Sequence, residues 1–170
     1  MTNLKILSMN LERDFILRKK DIKKRELLKE AIKENDYDII LMQRGDLRLN
    51  NKRLGYKEIK KENSLVTLYK DKFPGFTLED DLGFDIASNL VIYYHNLPVS
   101  IINVNCKNKE SFYNIRSFST VTKMCEKYSD PTSPHYVRKR IVTGVFPKDV
   151  NIKEFCDMFD LYDVSKREVS

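Results

Sequence analysis

Glycine, proline and cysteine are all scarce in this chain: five, five and three residues in 170. The low glycine and proline content leaves no low-complexity tract and no clear linker, and no internal repeat is evident. Cys106, Cys125 and Cys156 are odd in number, far apart and without a CxxC pair. That excludes a disulfide framework or a structural zinc site and points to reduced, buried thiols in a cytoplasmic protein. Only two histidines are present. No apolar run approaches the roughly 20 residues of a membrane span. The opening MTNLKILSMNLERD lacks the basic, apolar and small-residue zones of a signal peptide.

Charge is plentiful. Thirty-one Lys and Arg face 25 Asp and Glu, a net charge of +6, and the pI is about 9.1. This balance permits a polyanionic partner without demanding one. At 41% hydrophobic residues, with many aromatics, the chain is not disordered. Its length suits one compact domain over residues 1–170.

Residues 4–9 have the length and apolarity of a strand, and 12–25 read as a charged loop leading into a helix. From Lys23 to Asn35, Leu27, Leu28, Ala31 and Ile32 are expected on one helical face. YDIILMQ is apolar throughout, as in a strand covered on both sides. YKEIKKE and SLVTLYK suggest a hairpin, and 71–85 a loop or weak strand. SNLVIYYHNLPVSIINVNC reads as two strands joined at His95–Pro98. Phe118, Val121, Cys125 and Tyr128 have helical spacing, SDPTSPHY is a loop, and RIVTGVF is a strand. Asn151 followed by Glu154 forms a capping box ahead of a helix that buries Ile152, Phe155, Cys156 and Phe159. The mixture predicts an α/β fold: a two-layered β-sandwich flanked by helices, rather than a strict βαβ alternation.

Five blocks then resemble, in order, the endonuclease/exonuclease/phosphatase family. LKILSMNL resembles an opening strand that ends in Asn, here Asn10. ELLKEAIKENDYDIILMQR is similar to the first helix and second strand, which in the family finish Gln-Glu. SNLVIYYHNLPVSIINVNC resembles the hairpin ending Asn-x-His. FYNIRSFSTVTKMCEKY is similar to the helix that opens with Arg, here Arg116. RIVTGVFPKDVNIKEFCDMFDLYDV resembles the strand ending Gly-Asp-Phe-Asn and its following helix. The resemblance implies phosphoester hydrolysis with a divalent metal, usually magnesium, held by carboxylate oxygens.

The reactive positions depart from that pattern. Gln43 is present, but Arg44 stands where the metal-binding Glu is expected. Asn103 keeps the Asn of Asn-x-His, and Asn105 replaces the His. Gly144 and Phe146 remain, while Val145 and Pro147 replace the Asp and Asn. The final block, a strand pair leading to a catalytic His, has no counterpart, so the fold is expected to be truncated at the C-terminus with sheet edges open to a partner or a second copy. A unit charge 4 Å from another of the same sign is repelled by about 4 kcal/mol at an effective dielectric of 20. Magnesium carries two charges, and Arg cannot deprotonate to escape.

The resemblance therefore implies a remnant cleft of Asn10, Gln43, Arg44, Asn103, Asn105 and Gly144. Arg44, Arg116, Arg138, Lys139 and Arg140 are the anion-binding candidates, and no cofactor is expected. The leading expectation is a catalytically degenerate pseudoenzyme that binds a nucleic acid or a protein. One alternative is a magnesium-dependent phosphodiesterase with a site rebuilt from Asn10, Glu12 and Asp46, with Asp14 nearby. Another is a small inhibitor or adaptor from a mobile element. Plainer roles compete at each position: a turn cap for Asn10, a solvated loop for Arg44, surface positions for His95 and His135, and solvated faces for the basic runs. Tyr93, Tyr94, Tyr113 and Tyr136 fit a core or rim as well as base stacking.

Overall fold

The computed structural model describes residues 3–11, 19–61, 65–76, 87–106, 122–123, 125–146, 148 and 150–163. Strand β1 (Ile6–Asn10) is followed by helix α1 (Lys19–Asn35), β2 (Ile39–Gln43), a single helical turn α2 (Asn51–Leu54), β3 (Tyr56–Lys61) and β4 (Leu65–Lys70). Then come β5 (Gly75–Phe76), β6 (Ala87–Tyr94), β7 (Leu97–Asn105), β8 (Lys139–Val145) and helix α3 (Ile152–Phe159). Residues 125–129 are also helical.

The strands form two four-stranded sheets, in the orders β1-β2-β4-β3 and β5-β6-β7-β8. β1 runs parallel to β2 across the α1 connection, and β8 runs parallel to β7. The remaining pairs are antiparallel.

Strand alternation sorts the apolar residues into three cores. Ile39 and Leu41 of β2, with Leu90, Ile92 and Ile101 of the second sheet, pack between the sheets. Ile40 and Met42 face the other way, onto Ile32 and Leu28 of α1. Ile102 and Val104 of β7 turn outward onto Tyr128, Phe155 and Phe159. β2 is apolar on both faces because both faces are covered, as its unbroken pattern predicts. The result is a helix–sheet–sheet–helix sandwich.

Two expectations need revision. Leu27 is 59% exposed and Ala31 is exposed, so the inward stripe of α1 is Leu28 and Ile32, a strict i, i+4 pair one position round from Leu27 and Ala31. The β6–β7 turn is only His95–Asn96, both at positive φ, and Pro98 already lies in β7 opposite Tyr93. Two left-handed residues match the twist of the flanking strands, and β8 starts opposite Val99, so Pro98 deprives no neighbour of a donor. The α2 turn was not foreseen. Asn50 caps it by accepting from the Arg53 N–H, and Gly55 closes it at φ +77°.

The α3 cap follows expectation: the Asn151 side chain accepts from the Glu154 N–H at 3.2 Å. Phe118, Val121 and the acidic run at Glu79–Asp81 lie outside the described residues.

Candidate functional site

Parallel pairing brings the carboxyl ends of β1 and β2 together, and those of β7 and β8. Asn10 is opposite Gln43, and Asn105 is opposite Val145. The gap between the sheets changes character toward this end. Away from it the layer is apolar. Toward it, Ser8, Gln43, Thr67, Ser88, Asn103 and Thr143 each contribute a polar side chain.

Gln43 and Asn103 are the centre of this layer, with exposures of 2% and 0%. Gln43 Nε2 donates to Asn103 Oδ1 at 2.9 Å and to Ser8 Oγ at 3.0 Å. Asn103 Nδ2 faces the Met42 carbonyl at 3.4 Å, the Val66 carbonyl at 3.3 Å and Thr67 Oγ1 at 3.4 Å. Thr143 Oγ1 donates to Ser8 Oγ at 2.9 Å. A buried amide must be satisfied or it costs stability, and here each amide satisfies the other sheet. The layer ties the carboxyl ends of the two sheets together.

Above it the chain turns sharply. Leu11 N–H donates to the Gln43 carbonyl at 2.8 Å, extending the β1–β2 ladder past the end of β2. Arg44 adopts φ +60°, in the left-handed region, at a cost of about 1–2 kcal/mol for a residue with a Cβ. A Cβ on Gly45 would lie 2.9 Å from Leu11 Cβ, so the turn closes tightly onto β1 only because residue 45 has none. Arg44 is half-buried, its Nε is buried without a hydrogen-bond partner, and no ion pair to it is present among the described residues. Asn105 Oδ1 is buried without a partner at the same end.

The structure thus brings Asn10, Gln43, Arg44, Asn103, Asn105 and Gly144 to one end of the sandwich. Gly144 has a backbone role there. Its φ is +138°, and a Cβ would fall 2.0 Å from the Val104 carbonyl oxygen. The basic cluster is elsewhere. Lys139 begins β8 beside Val99, while Val145 ends it beside Asn105, a separation of about 20 Å at 3.3 Å per residue. Arg140 donates to the Val137 and Phe159 carbonyls and covers the Tyr136 ring. Arg116, Glu12, Asp14 and Pro147 lie outside the described residues.

Among the described residues, the strand ends offer a divalent cation few ligands. Asp46 Oδ1 accepts from the Arg48 N–H at 2.8 Å and Oδ2 from Lys60 Nζ at 3.1 Å, which commits this carboxylate to its own loop and to β3. Among the described residues no three His, Cys, Asp or Glu side chains cluster as a metal would require. Among the described residues, a hard cation at this end would meet neutral amides and a guanidinium in place of carboxylates.

Sequence reading missed Ser8, Thr67, Ser88 and Thr143. The available signal was a polar residue at an inward-facing strand position, visible only once the strand faces are assigned.

No protein-family model matches this chain, and no curated protein matches it in sequence. Solved structures do match in shape. A beta-hairpin deletion mutant of beta toxin from Staphylococcus aureus aligns with a TM-score of 0.63 and 13% identity, over 96% of this chain and 75% of the other. The endonuclease domain of TRAS1, a telomere-specific non-LTR retrotransposon, aligns with a TM-score of 0.57 and 11% identity, over 82% and 58%. The human Nocturnin catalytic domain with bound sulfate aligns with a TM-score of 0.54 and 12% identity, over 83% and 63%. The chain therefore has the endonuclease/exonuclease/phosphatase fold. It spans less than two thirds of the TRAS1 and Nocturnin domains. No helix among the described residues is long and apolar enough to cross a membrane.

Proposed function

We propose that this chain is a binding protein on a nuclease-like scaffold, and that its strand-end cleft grips the phosphodiester backbone of a nucleic acid without hydrolysing it. The observation that carries this reading is Arg44: a half-buried guanidinium with no anionic partner among the described residues, held on a strained turn at the end of β2. An unpaired, partly desolvated charge is unfavourable, and a phosphate oxygen pair relieves it with charge-assisted, bidentate hydrogen bonds. The net charge of +6 adds long-range attraction. The diversion of Asp46 to Lys60 and Arg48 supports the metal-free form of the reading.

The test is fluorescence anisotropy with a labelled 20-nucleotide strand and its duplex in excess chelator, run beside a cleavage assay with magnesium and manganese. Metal-independent binding, weakened about tenfold in Arg44→Ala, is the expected result; that factor corresponds to about 1.4 kcal/mol. Metal-dependent cleavage that disappears in Asn10→Ala would instead establish a rebuilt hydrolase. Failure to bind either nucleic acid overturns the proposal.

A further inference from the structure

Strand β8 is a sheet edge: among the described residues it pairs with β7 on one side and with no strand on the other. Edges of this kind are normally blunted by proline, inward charge or a bulge. Here Ile141–Val145 contains neither proline nor charge, and its pairing with β7 continues one-to-one through Asn105–Val145. A groove of about 680 Å³ runs beside it. Val142 and Phe146 line the sheet side, and Ile152, Phe155 and Leu161 come from α3 and the segment after it. Tyr162, also in the lining, is 74% exposed, and Met158 on α3 is 64% exposed.

The cations are confined to one end. Arg138 and Lys139 are exposed and carry no ion pair among the described residues. Arg140 is consumed by the Val137 and Phe159 carbonyls. Two carboxylates, Asp160 and Asp163, belong to the segment that follows α3.

We propose that the free edge of β8 accepts an extended segment of another protein as an added strand. Alternate apolar residues of that segment pack against the α3 wall, and a carboxylate at one end meets Arg138 and Lys139. A strand edge that no described strand pairs, above an apolar wall, suits a peptide strand, whereas a nucleic acid would need cations along the whole edge. A second copy is a poorer occupant: each chain carries +6, and β8 brings no carboxylate to meet Arg138 and Lys139. This surface is separate from the strand-end cleft and does not depend on the function proposed for it.

The experiment is selection of a displayed random decapeptide library on the full chain, followed by synthesis of the enriched peptides. The expected peptides alternate apolar residues and carry Asp or Glu at one end. Their binding protects β8 amides from hydrogen exchange. It weakens at least tenfold when the peptide acids become Lys, and also in the Arg138→Glu, Lys139→Glu double variant. Circular dichroism of that variant separates lost contacts from lost folding, and the peptide-side swap keeps the test valid if the variant misfolds. No patterned enrichment, protection outside β8, or indifference to both charge reversals overturns the proposal. So does sedimentation showing that the free chain is already a dimer with β8 protected, or an oligonucleotide that protects β8 where the peptides do not.

Discussion

Gln43 and Asn103 hold the two sheets together through one amide–amide hydrogen bond of 2.9 Å, buried from solvent at both ends. Each is the last or near-last inward residue of its strand. Their bond fixes where Arg44 and Asn105 emerge. The polar layer thus lies directly beneath the two strand ends.

Removing one partner leaves the other buried and unsatisfied, which costs more than the net worth of the bond. Gln43→Leu should destabilise the fold by about 2–3 kcal/mol in urea unfolding. The Gln43→Leu, Asn103→Leu double variant should cost clearly less than the sum of the two single changes. Additive losses would show that the two amides act independently.

Arg44 occupies a left-handed conformation that glycine adopts without strain. Arg44→Gly should therefore raise stability by about 0.5–1 kcal/mol while weakening oligonucleotide binding. A variant that is more stable and binds less well is the signature of strain kept for function. Loss of both properties would mean that the Arg44 side chain supports the fold.

Gly144 admits no side chain. With φ at +138° and the Val104 carbonyl in the way, Gly144→Ala must displace β8 from β7. Destabilisation of about 3 kcal/mol or more is expected, read as a lower urea midpoint with loss of exchange protection in β8. A change under 1 kcal/mol would contradict the close approach of the two strands.

The thiols should behave unequally. Burial pushes Cys106 up to about 11 and Cys125 up to about 12, while Cys156 is only half-buried. A thiol reagent at pH 8 should label Cys156 first in the native protein, because the thiolate is the nucleophile. Stability follows in sign. The unfolded thiol ionises near 9 and the folded Cys125 thiol does not, so stability is lost as pH rises from about 9 toward 12 and is unaffected below 8. Cys125 alone should contribute about 1 kcal/mol of that loss by pH 10. The stability difference between wild type and Cys125→Ala should narrow between pH 8 and pH 10.

Much of the fold was legible because local pattern and tertiary burial agreed. β2 is apolar along its whole length and is covered on both faces. Asn151 with Glu154 announces α3 through the cap that the helix uses. The α1 face was harder: Leu27, Leu28, Ala31 and Ile32 are all apolar, and only contact with Ile40 and Met42 selects Leu28 and Ile32. At the site, Arg44 stood out by its place after an apolar strand. Its lack of an ion pair among the described residues and its backbone strain were not legible, because both depend on what the surrounding strands supply.

The order of residues alone determined most of the strands, helices α1 and α3, the scarcity of His and Cys, and the cation at the end of β2. These are local properties of spacing and side-chain chemistry. Tertiary structure decided which residues share a place. It put Gln43 against Asn103, 60 positions away in the chain, turned Asp46 aside onto Lys60, and set Arg138–Arg140 about 20 Å from Arg44's end of the sandwich. The physical reason is that parallel pairing and sheet stacking fix distances that sequence separation does not encode, so charges that look like one basic set fall on two surfaces.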